Sequence, residues 1–148
     1  MIQRIQSLYL LLAAGAGAAT WFYNLWKATI NAAGSPTVVY FNAQSSYLVF
    51  IVYMVIVALA LLCIFLYKNR KLQFRLTVLN IFLSAGAIVL QYFKVQETAN
   101  KIETTTPIIT SSYLPSAFLP VLMLIFLVLA ARGIYKDEKL IKSLDRLR

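Results

Sequence analysis

At 148 residues, the chain is 61% hydrophobic and 13% charged, whereas a soluble domain carries about a quarter charged residues; four apolar spans of about 20 residues use more than half its length and exclude a separate soluble domain. The net charge of +9 does not point to nucleic acid, because the basic residues adjoin apolar spans and read as topology signals and contacts with anionic lipid. Histidine is absent, which excludes His-based haem or zinc ligation and His-based acid–base catalysis within this chain.

Eleven of the fourteen Lys and Arg residues fall on one side of four uncharged stretches, residues 5–26, 28–67, 76–93 and 104–131. One side holds Arg4, Lys68, Arg70, Lys71, Arg75, Arg132, Lys136, Lys139, Lys142, Arg146 and Arg148; the other holds only Lys27, Lys94 and Lys101. Cytoplasmic loops retain Lys and Arg, so both termini are expected in the cytoplasm.

Span 1 is expected over residues 5–26, roughly 33 Å of helix. Arg4, an apolar core and Ala14-Gly15-Ala16 imitate a secretory signal. The apolar run continues through Trp21, Phe22, Leu25 and Trp26, so an uncleaved span is expected. Trp21, Tyr23 and Trp26 suit the outer aromatic belt. Residues 27–46 form the first outer loop. There Ala33-Gly34-Ser35-Pro36 signals a turn between Ala28-Thr29-Ile30-Asn31 and Thr37-Val38-Val39-Tyr40-Phe41. A β-hairpin and an irregular loop both fit that pattern.

Span 2, residues 47–67, is apolar on every face and is expected to meet lipid. Its Cys63 reads as a small packing residue. The short Lys68-Asn69-Arg70-Lys71 loop makes spans 2 and 3 an antiparallel hairpin. Span 3, residues 72–94, carries Gln73, Thr77, Asn80, Ser84, Ala87, Gln91 and Lys94 at alternating spacings of four and three, a polar and small seam on one face. Span 1 has a matching seam at Gln3, Ser7, Leu10, Ala14, Gly17, Trp21 and Asn24. Small residues let membrane helices approach closely, and Asn or Ser bond across the contact. Spans 1 and 3 are therefore expected to pack together, through Ala14, Gly17, Asn24, Thr77, Asn80, Ser84 and Gln91.

Beyond span 3 the helix is expected to reach about Lys101, and Thr104–Thr110 to extend beside the first loop. Span 4 runs over residues 114–135; Pro115 suits a first turn and Pro120 implies a kink or an irregular start. The tail, residues 136–148, places Leu140, Ile141, Leu144 and Leu147 on one stripe of a charged helix. No breaker after Gly133 separates it from span 4. Lipid adhesion alone does not require its acids. A partner-docking surface is expected at Arg4, Lys136, Asp137, Glu138, Leu140, Leu144, Asp145, Arg146 and Arg148.

No ionisable residue lies well inside a span; all five acids, Glu97, Glu103, Asp137, Glu138 and Asp145, lie in loops or the tail. Ion-coupled carriers keep a charge at membrane depth, so that class is disfavoured. No phosphate-binding loop, metal cluster or spaced carboxylate pair is present. Ser7, Thr77 and Ser84 have no base within reach by sequence. No enzyme activity, catalytic residue, cofactor or metal is expected.

The opening Met1-Ile2-Gln3-Arg4-Ile5-Gln6-Ser7-Leu8-Tyr9-Leu10 and the ending from Lys136-Asp137-Glu138-Lys139-Leu140 through Asp145-Arg146-Leu147-Arg148 resemble a four-helix inner-membrane family of Bacteroidota, a domain of unknown function. The resemblance covers the whole chain. It implies an inner-membrane location and importance for the two termini, and brings no activity. The expectation is an all-α four-helix membrane bundle, N-in and C-in, with a small periplasmic cap. Its expected role is a non-catalytic inner-membrane subunit or accessory factor of a larger complex, with protein export or envelope biogenesis as the setting. Its partners would be the lipid bilayer and other inner-membrane proteins. The alternative is a pore or carrier for a small neutral or apolar molecule, lined by Thr77, Asn80, Ser84 and Gln91. A membrane enzyme would need a pocket uniting Asn24, Gln91 and the loop acids.

Overall fold

The computed structural model describes residues 2–32 and 35–145, with side chains described for 5–31 and 35–140. Helix α1 spans Ile2–Phe22, α2 Tyr47–Phe65, α3 Arg70–Thr105 and α4 Leu119–Asp145. All four are long and apolar enough to cross a membrane. Three strands accompany them: β1 Trp26–Ala32, β2 Ser35–Phe41 and β3 Ile108–Tyr113.

The helices form a ring in which α1 packs on α2 and α4, and α3 packs on α2 and α4. Spans 1 and 3 are therefore not a packed pair; they stand diagonally across the bundle, which corrects the expectation from their matching seams. Gly17 shows where the α1 seam goes instead. A Cβ built there would lie 2.8 Å from Val57 Cγ2 on α2 and 3.0 Å from Met123 Sδ on α4. The shared core joins Leu10, Ala13 and Ala14 of α1 to Tyr53 and Ile56 of α2, Ala87 of α3, and Met123 and Leu127 of α4. Small residues on α1 thus serve two neighbours at once, which lets both backbones come close.

Helix α2 ends in a 3-10 turn, Leu66–Lys68, and α3 begins two residues later. At 36 residues, α3 is roughly 54 Å long, well beyond the about 30 Å of a bilayer core. Its surplus stands past residue 94 and supports the strands. Helix α4 starts irregularly: Pro115–Phe118 form a 3-10 turn before Leu119. It then continues without a break to Asp145, taking the start of the tail with it.

The first outer loop is a hairpin. β1 pairs antiparallel with β2 from Trp26↔Phe41 to Ala32↔Ser35. β3 pairs with the other edge of β1, from Trp26↔Tyr113 to Ile30↔Ile108, with a register shift at Thr29/Ile30. The third strand lies a few residues later than Thr104–Thr110, because α3 stays helical through Thr105. Trp26 corrects a second expectation. It opens β1 rather than closing span 1, and it is buried with Ala28, Phe41 and Val95 under the sheet. Tyr23 is exposed, while half-buried Trp21 meets Phe50 in a tilted contact, 5.7 Å between ring centroids.

Backbone bonds weld the cap to the helix ends. Leu25 N–H donates to Phe41 O at 2.7 Å and Leu114 N–H to Leu25 O at 3.0 Å. Ser116 Oγ donates to Asn24 O, so Asn24 lies beyond α1 and takes no part in a helix seam.

Candidate functional site

At the end opposite the sheet, three helices deliver one side chain each to a common point. Gln6 comes from α1, Arg70 from the start of α3 and Asp137 from α4. Gln6 Nε2 donates to Asp137 Oδ2 at 2.6 Å. Arg70 Nη1 lies 3.5 Å from the same oxygen. Asp137 is only 6% exposed, so the guanidinium and the amide replace the water its carboxylate has lost. Gly133 makes the approach possible. It sits one turn before Asp137 on the same face of α4, and a Cβ there would meet Gln6 Cγ at 2.8 Å.

Around this buried knot the surface is cationic. Lys68, Lys71, Arg75, Arg132, Lys136 and Lys139 are all exposed. The ion pairs among the described residues are Arg70–Asp137 here and the Lys94–Glu97–Lys101 chain on the α3 extension, so these six cations keep their charge for solvent or a ligand. Phe74 of α3 and Tyr135 of α4 meet across the helix pair in a tilted contact, 5.9 Å between centroids.

The expected docking residues divide. Lys136 and Leu140 are exposed and Glu138 is half-buried; exposed Lys139, which was not among the expected residues, lies between them. Asp137 is withdrawn from the surface, a correction with a clear cause: its face of α4 turns toward α1 and α3. The side chains of Arg4, Leu144 and Asp145, and all of Arg146 and Arg148, lie outside the described residues.

The expected seam residues are mostly interior. Ala14, Gly17, Thr77, Asn80, Ser84 and Gln91 are buried, and Asn24 is half-buried. On α3 they bond to α2 or to their own helix. Gln73 Nε2 donates to Cys63 O at 2.9 Å and Asn80 Nδ2 to Ile56 O at 3.1 Å. Tyr53 OH donates to Gln91 Oε1 at 2.7 Å. Thr77 Oγ1 and Ser84 Oγ return to Gln73 O and Ile81 O, both at 2.8 Å. Asn80 Oδ1 and Trp21 Nε1 are buried with no hydrogen-bond partner. The seam thus zips α3 to α2, and its polar groups are spent largely on backbone carbonyls rather than turned toward an open channel.

The sequence pattern of DUF4293, described as a domain of unknown function, matches residues 2–147. The chain belongs to the DUF4293 family. The match takes in both described ends, including the three residues of the knot. No curated protein matches this DUF4293 chain.

Sequence reasoning did not single out Gln6, Arg70, Gly133 or Tyr53 of the DUF4293 chain as site residues. Arg70 read as an orientation signal and Gly133 only as the last possible helix breaker before the tail. One signal was available: the 133–137 spacing of a glycine and an acid on one helix face. It says that something can come close to Asp137, but not that Gln6 is what comes.

Proposed function

We propose that this protein is a non-catalytic integral subunit or accessory factor of a larger complex in the bacterial inner membrane, with both termini cytoplasmic and the sheet on the periplasmic side. The observation that carries the reading is the continuation of α4 past its apolar span as a helix whose Lys136, Lys139 and Leu140 are exposed. A helix presenting both cations and leucine outside the bilayer is a docking element rather than a bundle element. The membrane assignment draws support from exposed apolar side chains on every helix, such as Leu11, Met54, Phe82 and Ile125. Water does not tolerate so continuous an apolar surface, whereas lipid does. The excess of Lys and Arg at one end supports the orientation.

Packing favours this reading over a pore or carrier. Thr77, Asn80 and Ser84 are fully occluded, and each bonds to a backbone carbonyl of α2 or α3. Capture from mild detergent tests the proposal. A defined partner is expected in stoichiometric amount with the unaltered protein and reduced with L140E. A protein that always runs alone overturns it.

A further inference from the structure

The face formed by the basic ends of α3 and α4, which pack together, has a composition that neither bundle packing nor a docking tail requires. At its centre the Phe74 and Tyr135 rings meet in a tilted contact. Lys71 lies one turn before Phe74; Arg132 and Lys139 lie one turn before and after Tyr135. At such spacings the three cations share the helix faces that carry the rings. All three are exposed, and none makes an ion pair among the described residues. Asp137 does not neutralise them, because it is buried and held by Gln6 and Arg70. Among the described side chains of this stretch of α4, half-buried Glu138 is the other acid, against three exposed cations. Toward the bundle, half-buried Val78 and exposed Val128 continue this face as apolar surface, one turn past Phe74 and two turns before Tyr135.

We propose that this face is a binding site for an anionic phospholipid, with Lys71, Arg132 and Lys139 holding the headgroup phosphate. The rings suit the level where headgroup meets acyl chain, and an acyl chain then follows Val78 and Val128. Charge complementarity selects an anionic headgroup over a zwitterionic one. Arg132 adds a planar donor fork suited to phosphate oxygens. The inference needs the helices to span a bilayer, but it needs no partner subunit.

Native mass spectrometry of the intact protein, released from micelles with equal phosphatidylglycerol and phosphatidylcholine, tests it. Phosphatidylglycerol is expected to be retained preferentially. The variant K71Q/R132Q/K139Q is expected to lose about tenfold or more of that retention, since one basic side chain near headgroups is worth about a fivefold change. K71R/R132K/K139R should retain it, and K27Q, at the sheet end, should leave it unchanged. Equal retention of both lipids by the unaltered protein overturns the proposal, as does undiminished retention by the folded triple Gln variant. If that variant fails to fold, retention by the unaltered protein is followed from about 0.1 M to about 1 M ammonium acetate. A fall supports a charge-held lipid, because screening tightens from about 10 Å to about 3 Å; an unchanged value overturns it. Loss of partner capture by the triple Gln variant with lipid retention intact assigns this face to protein instead and also overturns it. Reporter fusions at the two termini test the bilayer orientation independently.

Discussion

Asp137 and Arg70 are unequal partners. The carboxylate side chain is 7% exposed and the guanidinium 28%. Removing the more exposed partner strands the more buried charge. Arg70→Ala therefore leaves a carboxylate with only Gln6 to solvate it, a loss of about 3 kcal/mol. Asp137→Asn leaves an oxygen that still accepts from Gln6 and an Arg70 that still reaches water, for about 1 kcal/mol. Unfolding of the two variants in detergent measures the difference, and the opposite order would contradict this account of the knot. Glycines separate in the same way. Gly17 faces Val57 and Met123 at close range, whereas nothing lies within 4 Å of a Cβ on Gly15. Gly17→Ala is expected to cost about 1–3 kcal/mol, because stiff Val57 must give way. Gly15→Ala should stay within about 0.5 kcal/mol or stabilise the helix slightly.

At the scale of elements, the polar seam of α3 belongs to α2. Gln73 and Asn80 reach backbone carbonyls of α2, and Gln91 receives Tyr53. Each such bond in a membrane is worth about 0.6 kcal/mol, so the seam sets register more than it sets stability. Helix α1 is held by small residues and by the Gln6–Gly133 contact with α4. Helix adjacency can be read chemically in a Cys63→Ala background. Cysteines placed at positions 6 and 133 are expected to oxidise to a disulfide, since that approach is already close. Cysteines at 14 and 84, on diagonal helices, should not, because bridging fails beyond about 7 Å between Cα atoms. Efficient crosslinking of the second pair would reinstate the α1–α3 contact.

The whole molecule is polarised along its axis. One end carries a three-stranded sheet in the order β2-β1-β3 on the α3 extension. The other carries six exposed, unpaired cations among the described residues around a single buried acid. If the helices span the inner membrane as proposed, Val38 of the sheet and Lys68 of the basic end face opposite compartments. With Cys63 replaced by Ala, an impermeant thiol reagent added outside spheroplasts should label Val38→Cys and spare Lys68→Cys; inverted vesicles should reverse the result. Labelling of both positions from the same side would refute the orientation.

Four apolar helices, their approximate limits, the seam positions of α3 and the helical start of the tail were legible in the residues alone. Hydropathy and helical period are properties of a local window, and no neighbour is needed to read them. Pairing is different. The seams of spans 1 and 3 share a register, yet a shared register says only that each has a buried face, not which helix covers it. Asp137 likewise looked like a surface charge in a charged tail, because its burial depends on Gly133 admitting Gln6 and on Arg70 arriving from α3. Trp26 looked like an interfacial anchor until the hairpin folded back and β3 closed the sheet above it. Helix limits thus came from local chemistry. The ring order, the knot at the basic end and the roof over Trp26 came from contacts between segments distant in sequence, which only the tertiary structure decides.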